Sequence, residues 1–273
     1  MPISDSITLE ANPSWLHTIK NAHICTRSLL MLALLTILSG SIMAQDDWWF
    51  EPDRPGVGTA SGVVPFKKVM LELGFQTDIE RRRADVMVPE VQLRAGITRF
   101  AELRFSAGGF AEEQGRWDFD IDPLVLGTKV RFCEKKGKVP EIAMLAELAI
   151  PCTKKQVEEL TVAPTLHLLF THETLSWLNI TYDVGGEWDG SDMRPDLFIA
   201  LCMDFTIAPK WHTFVESYNY ITGFKQFDGQ AYLSAGFTYQ VHRRVQLDIS
   251  AAFNAKDPDL YSNVGLGIAW LIN

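Results

Sequence analysis

From Val69 to Ile272, apolar residues alternate with polar or small ones in one strand-length segment after another. Side chains spaced by two fall on one face of a strand, so the pattern predicts β structure throughout this region. The first segment sets Val69, Leu71, Leu73 and Phe75 against Lys68, Glu72, Gly74 and Gln76. The second sets Val91, Leu93, Ala95 and Ile97 against Glu90, Gln92, Arg94, Gly96 and Thr98. Leu103, Phe105 and Ala107 then oppose Glu102, Arg104 and Ser106, and Leu126, Thr128, Val130 and Phe132 oppose Gly127, Lys129 and Arg131. The alternation continues with Ile142 to Ile150 against Glu141 and Glu147, with Leu166, Leu168 and Phe170 against Thr165, His167 and Thr171, and with Ile180, Tyr182, Val184 and Trp188 against Asn179, Asp183 and Glu187. Leu197 to Ile207, Trp211 to Thr222, Gln230 to Val241, Val245 to Asn254 and Ser262 to Ile272 bring the number of segments to twelve. In the ninth, Phe214, Glu216, Tyr218 and Tyr220 share a face whose side the pattern leaves open.

The connectors alternate in length. Thr98 to Ala101, Cys133 to Val139, Thr171 to Trp177, Ala208 to Lys210 and His242 to Arg244 are tight. Asp78 to Asp85, Glu112 to Asp120, Pro151 to Leu160, Asp189 to Asp196, Gly223 to Gly229 and Lys256 to Tyr261 are more polar and mostly longer. An even number of up-and-down antiparallel strands with short turns at one end and longer loops at the other fits a transmembrane β-barrel. A secreted β-sandwich or a lipocalin-like barrel would also alternate, but with fewer strands and with the apolar face inward. The aromatics favour the membrane reading. Phe132, Phe170, Phe205, Tyr239 and Trp270 end even-numbered strands on the apolar face, while Phe75, Trp188 and Phe253 end odd-numbered ones. Two aromatic girdles, one at each membrane interface, would have this distribution.

The one long apolar run, Ser28 to Ala44, follows Lys20 and Arg27 and ends in small residues before Gln45. It reads as a secretory signal peptide over residues 1–44, cleaved after Ala44, because its apolar core is short for a membrane-spanning helix. Residues 45–65, with prolines at 52, 55 and 65, are expected to form an irregular periplasmic lead-in to a barrel over 66–273. The 273 residues carry a net charge of −9, which argues against a nucleic-acid partner. Beyond Cys25 in the leader, Cys133, Cys152 and Cys202 are widely spaced and odd in number, which is neither a disulfide framework nor a zinc site; one pair plus a free thiol stays open.

The run Asp53-Arg54-Pro55-Gly56-Val57-Gly58-Thr59, then Val63-Val64-Pro65 and Leu71-Glu72-Leu73-Gly74-Phe75-Gln76, resembles a family of Gram-negative outer-membrane barrels labelled transporters, of the meta-pathway of phenol degradation type. Arg94 to Thr98, Leu126 to Lys129, Ala146 to Pro151 and Glu187 to Gly190 extend the resemblance across most of residues 53–273. The resemblance implies an outer-membrane location and passage of small aromatic or polar molecules. Asn263-x-Gly265-x-x-Ile268-x-Trp270 looks like the C-terminal signal read by the barrel-assembly machinery.

The inward face is expected to carry Glu72, Glu90, Arg94, Glu102, Arg104, Lys129, Arg131, Glu141, Glu147, Asp183, Glu187, Asp204 and Asp248. Such charges either line a water-filled channel and select solutes, or close the lumen as a salt-bridge network. Arg94, Arg104, Lys129 and Arg131 would form a basic wall facing acidic residues of later strands, a transverse field suited to polar solutes. Arg81-Arg82-Arg83, in the first long loop, would meet solvent or lipopolysaccharide phosphates. Gly56-x-Gly58-x-x-x-Gly62 follows no strand and opens no helix, so it is not a nucleotide loop. Of His167, His172, His212 and His242, only His167 faces the expected lumen, and no Ser–His–Asp set converges at the outer rim. The sequence therefore points to a passive channel or transporter with no cofactor, metal or plug domain. A closed barrel with a structural or surface-interaction role is the alternative, and a barrel enzyme the least favoured.

Overall fold

In a computed structural model of the chain, the alternating segments become β1 (Val69–Glu80), β2 (Arg83–Gly96), β3 (Ala101–Glu113), β4 (Trp117–Ile121), β5 (Leu124–Cys133), β6 (Glu141–Ile150), β7 (Ala163–Leu175), β8 (Leu178–Glu187), β9 (Asp196–Ala208), β10 (Trp211–Ile221), β11 (Tyr232–His242), β12 (Val245–Asn254) and β13 (Ser262–Ile272), with one short helix, α1 (Lys154–Glu159). The structure describes residues 51–272 except 81–82, 114–116, 192–193 and 223–230. The signal-peptide stretch 1–44 lies outside the described residues, as do Arg81 and Arg82 of the arginine run.

Apart from β4 and β5, which both pair with β3, each strand pairs antiparallel with its neighbour in sequence, and β1 pairs with β13 from Val69↔Ile272 to Ile79↔Ser262, which closes the sheet on itself. Closure leaves no row of open backbone groups around the ring except beside β4, and closure is the condition for a sheet to cross a bilayer. The ring has twelve staves because β4 and β5 share one place: β3 pairs with β5 through Ala101–Ser106 and with β4 through Gly109–Glu113. The break falls at Asp122-Pro123, where proline has no N–H to donate to a ladder.

Two of the expected long loops are in fact extended hairpins. Residues 78–85 continue the β1–β2 ladder as far as Glu80↔Arg83, and residues 112–120 continue the β3–β4 ladder as far as Glu113↔Trp117. Pairing outlasts the hydrophobic alternation there because main-chain hydrogen bonds need no apolar side chain. The Pro151–Leu160 connector folds into α1, started by a capping box in which Thr153 and Gln156 satisfy each other's backbone N–H. Gln156 then donates its side-chain amide to Ile121 O, so the helix covers the β4 edge that β6 leaves unpaired.

The barrel is apolar outside. Leu166, Leu168, Ile199, Leu201, Phe237, Ile249 and Leu266 are exposed, while their sequence neighbours Ala200, Cys202 and Asp248 are buried. An apolar surface this extensive belongs against lipid rather than water. Of the girdle candidates, Phe132, Phe75, Trp270 and Phe253 face outward with 60%, 54%, 48% and 40% exposure. Phe170, Phe205, Tyr239 and Trp188 are half-buried; Phe205 stacks on Trp177, and Tyr239 meets Trp211 at a tilt. Cys133, Cys152 and Cys202 are all free thiols.

Candidate functional site: a lumen threaded by the N-terminal segment

Residues 51–65, the described part of the expected irregular lead-in, lie against the inward side chains of the barrel. The segment has no strand partner of its own, so its backbone amides must find acceptors elsewhere. The inward carboxylates supply them. Asp53 N and Arg54 N donate to Glu72 at 3.3 and 3.1 Å, Val57 N and Gly58 N to Glu216 at 2.9 and 2.8 Å, Thr59 N to Asp183 at 2.9 Å and Val64 N to Glu102 at 2.6 Å. Ser61 Oγ adds a bond to Glu141 at 3.1 Å. Charged acceptors make the stronger hydrogen bonds, and a buried amide without one would cost about 1–3 kcal/mol.

The cations complete the anchorage. Arg94, fully buried, lies 2.8 Å from Glu102, 3.0 Å from Glu72 and 3.3 Å from Asp53. Arg104 pairs with Asp53, with Glu102 at 3.1 Å and with Glu147 at 2.7 Å. Lys129 Nζ reaches Asp53 at 2.9 Å and donates to the carbonyls of Ala60 and Gly62 at 2.9 and 3.1 Å. The expected basic wall is therefore neutralised where it stands, by Asp53 of the segment and by near-neighbour acids, rather than facing acids across an open bore. Burial alone would raise the Asp53 carboxyl, but Arg94, Lys129 and Arg104 outweigh it and hold the group far below the ordinary carboxylate range. Glu51 behaves oppositely: burial, then the nearby Glu141 charge, pushes its carboxyl up to about 7.

Arg54 crosses to the other wall, where it meets Asp248 at 3.4 Å and Leu266 O at 3.2 Å. It lies over Gly74 and Gly267, and a Cβ at either position would overlap the guanidinium. Arg131 pairs with Glu141 at 3.1 Å. His167 is held by Asp183 at 2.7 Å, lies within 3.1 Å of Glu187 and stacks on Phe198. Among the described residues, no hydroxyl or thiol hydrogen-bonds to His167. Among the described residues, Asp204 accepts from the Cys202 thiol at 3.5 Å, and Glu90 makes no hydrogen bond or ion-pair contact, although the Arg54 charge acts on it.

The undecided face of β10 turns inward: Phe214, Glu216 and Tyr218 are all buried. With Tyr220, Tyr232 and Tyr261 they build an aromatic wall in which Tyr218 and Tyr232 stack at 5.1 Å and Tyr232 and Tyr261 meet edge to face at 5.5 Å. Between this wall and the segment lies a cavity of about 680 Å³, bordered by Arg54, Glu72, Glu90, Arg104, Glu147 and the tyrosines. Sequence reasoning missed Asp53, Arg54, Glu216 and the tyrosines as site residues. Glu216 carries the available signal, since a mid-strand carboxylate facing lipid is costly, which assigns its whole face to the interior.

A closed, outwardly apolar barrel of twelve staves with a polar, occupied lumen defines an outer-membrane β-barrel protein. The match of residues 52–271 to the family described as "Putative MetA-pathway of phenol degradation" is more specific, and the chain belongs to that family. In fold it is similar to an outer-membrane channel from Pseudomonas putida F1, at TM-score 0.60 and 9% identity over 82% of this chain and 100% of that one. It is also similar to the NanC porin, at TM-score 0.52 and 8% identity over 73% of this chain and 98% of that one. A KdgM porin aligns at TM-score 0.52 and 7% identity, over 73% of this chain and 98% of that one. Among curated proteins there is no match.

Proposed function

We propose that the protein is a passive outer-membrane channel for small solutes, whose path runs beside the N-terminal segment rather than down an empty bore. The observation that carries this reading is the cavity of about 680 Å³ left between the segment and the tyrosine wall inside a closed barrel. Its polar and aromatic lining suits small molecules that combine a ring with a polar group, in keeping with the phenol degradation named in the family's description. The fold neighbours described as porins and as an outer-membrane channel support the same class. The charges at Glu72, Arg94, Glu102, Arg104 and Lys129 act chiefly as fasteners of the segment, and they influence selectivity through the field they leave in the cavity. The outward aromatics serve as interface anchors, and the arginines of the β1–β2 turn as contacts for lipopolysaccharide.

The reading of a closed, structural barrel draws on one observation, the number of hydrogen bonds that fix the segment across the lumen. Single-channel recording of the full protein in planar bilayers separates the two. Small, stable conductance steps are expected, and a correctly folded barrel without conductance would favour the closed reading.

A further inference from the structure

The ionic balance of the lumen is uneven. Around the segment, Arg54, Arg94, Arg104 and Lys129 are matched by Asp53, Glu72, Glu102, Glu147 and Asp248, each within 4 Å of at least one of these cations. Glu90, on β2 where the register with β1 and β3 shifts, borders the cavity outside this network and makes no ion pair or hydrogen bond with any described residue. Arg104 is engaged by Asp53, Glu102 and Glu147, whereas Arg54 is shared: it meets Asp248 at 3.4 Å and acts on Glu90 through its charge without an ion-pair contact. Among the described residues, these six carboxylates, Glu90 included, outnumber the four cations, so the charge in excess around the cavity is negative. The tyrosine wall borders the same cavity, with Tyr218 and Tyr232 stacked and Tyr220 set nearly perpendicular to Tyr218 at 6.3 Å. Ring faces carry negative quadrupolar potential and attract an ammonium group, as a carboxylate does.

We propose that this cavity is a binding station for small organic cations, amines carried on a flat apolar body, with Glu90 as counter-ion and Tyr218, Tyr220 and Tyr232 as the wall that receives the body. An organic anion would meet the carboxylate excess that includes Glu90 and the negative ring faces. A neutral ring would gain the wall but not the counter-ion. The proposal rests on the reading of the lumen as a solute path, and it deepens that reading by naming the solute class.

The test is calorimetric titration of the full protein in detergent micelles with benzylammonium, benzyl alcohol and benzoate, alongside current recording in planar bilayers. Saturable benzylammonium binding is expected, at least tenfold tighter than benzyl alcohol, with no benzoate binding. Glu90→Gln, which removes no contact with the described residues, is expected to weaken benzylammonium at least tenfold and leave benzyl alcohol unchanged. Tyr220→Leu is expected to weaken both. Equal binding of alcohol and ammonium, preference for benzoate, or an unaltered affinity in Glu90→Gln would overturn the proposal. Conductance without benzylammonium binding would sink the station and leave the channel. Glu90-dependent binding without conductance would do the reverse.

Discussion

Asp53 and Lys129 meet at 2.9 Å, one on the irregular N-terminal segment and the other on β5, although 76 positions separate them in the chain. The contact is part of a buried cluster in which a single carboxylate is shared by three cations, Arg94, Arg104 and Lys129. Removing one partner of a buried ionic group is more damaging than never having built it, because the remaining charges stay desolvated. Asp53→Asn is therefore expected to lower barrel stability by about 3–5 kcal/mol. It should also raise conductance as the segment loosens. Thermal unfolding monitored by gel mobility, together with bilayer recording, checks both, and an unchanged conductance would detach the segment from control of the lumen.

Acidity separates Asp53 from its near neighbour Glu51. The Asp53 carboxyl is depressed in the folded protein, so its contribution is present above the ordinary carboxylate range and persists until pH falls far below it. Glu51 is raised from 4.5 to about 7, so its contribution is full below about 4.5 and is lost as pH rises through about 7. Acidification from pH 8 to 5 is accordingly expected to tighten the segment and reduce conductance. Glu51→Gln should reduce that dependence while Asp53→Asn leaves it in place.

Much of the barrel is legible in the sequence because lipid and lumen demand opposite side chains at alternate positions. Leu71 beside Glu72 and Leu103 beside Glu102 need no structure to assign. Residues 51–65 were opaque for the complementary reason. They have no periodicity, and their backbone donors find acceptors on β1, β3, β8 and β10, a relationship visible only after the barrel closes. Charges that read as a channel lining are thus largely the sockets of an internal strap. The β3–β4 ladder is not legible in the sequence because alternation lapses beyond Gly108, nor is α1, because its one signal, Thr153-x-x-Gln156, is only a turn long.

Arg54 depends on two glycines. With a Cβ at Gly74 or Gly267 the guanidinium has to leave its place above them, which breaks the contacts with Asp248 and Leu266 O. Gly74→Ala and Asp248→Asn are expected to destabilise the protein by about 1–3 kcal/mol each, and by clearly less than the sum when combined. Additive effects in that double-mutant cycle would mean that Arg54 does not connect the two sites.

Glu216 holds two successive amides, Val57 N and Gly58 N, from a position that is itself buried on β10. Glu216→Gln keeps one acceptor oxygen and Glu216→Ala keeps none. The alanine variant should therefore lose about 1–3 kcal/mol more than the glutamine variant. Leu201, outward on β9 and 40% exposed, provides the contrasting case. In bilayers Leu201→Arg should cost about 2–4 kcal/mol because the cation would sit in hydrocarbon. In detergent, where water reaches the barrel surface more readily, that penalty should shrink, while the Glu216→Ala penalty should persist because its amides are sealed inside the barrel. Measuring both variants in vesicles and in micelles separates the two faces of the wall: equal sensitivity of both to the solvent outside would mean that the lumen is not isolated from it.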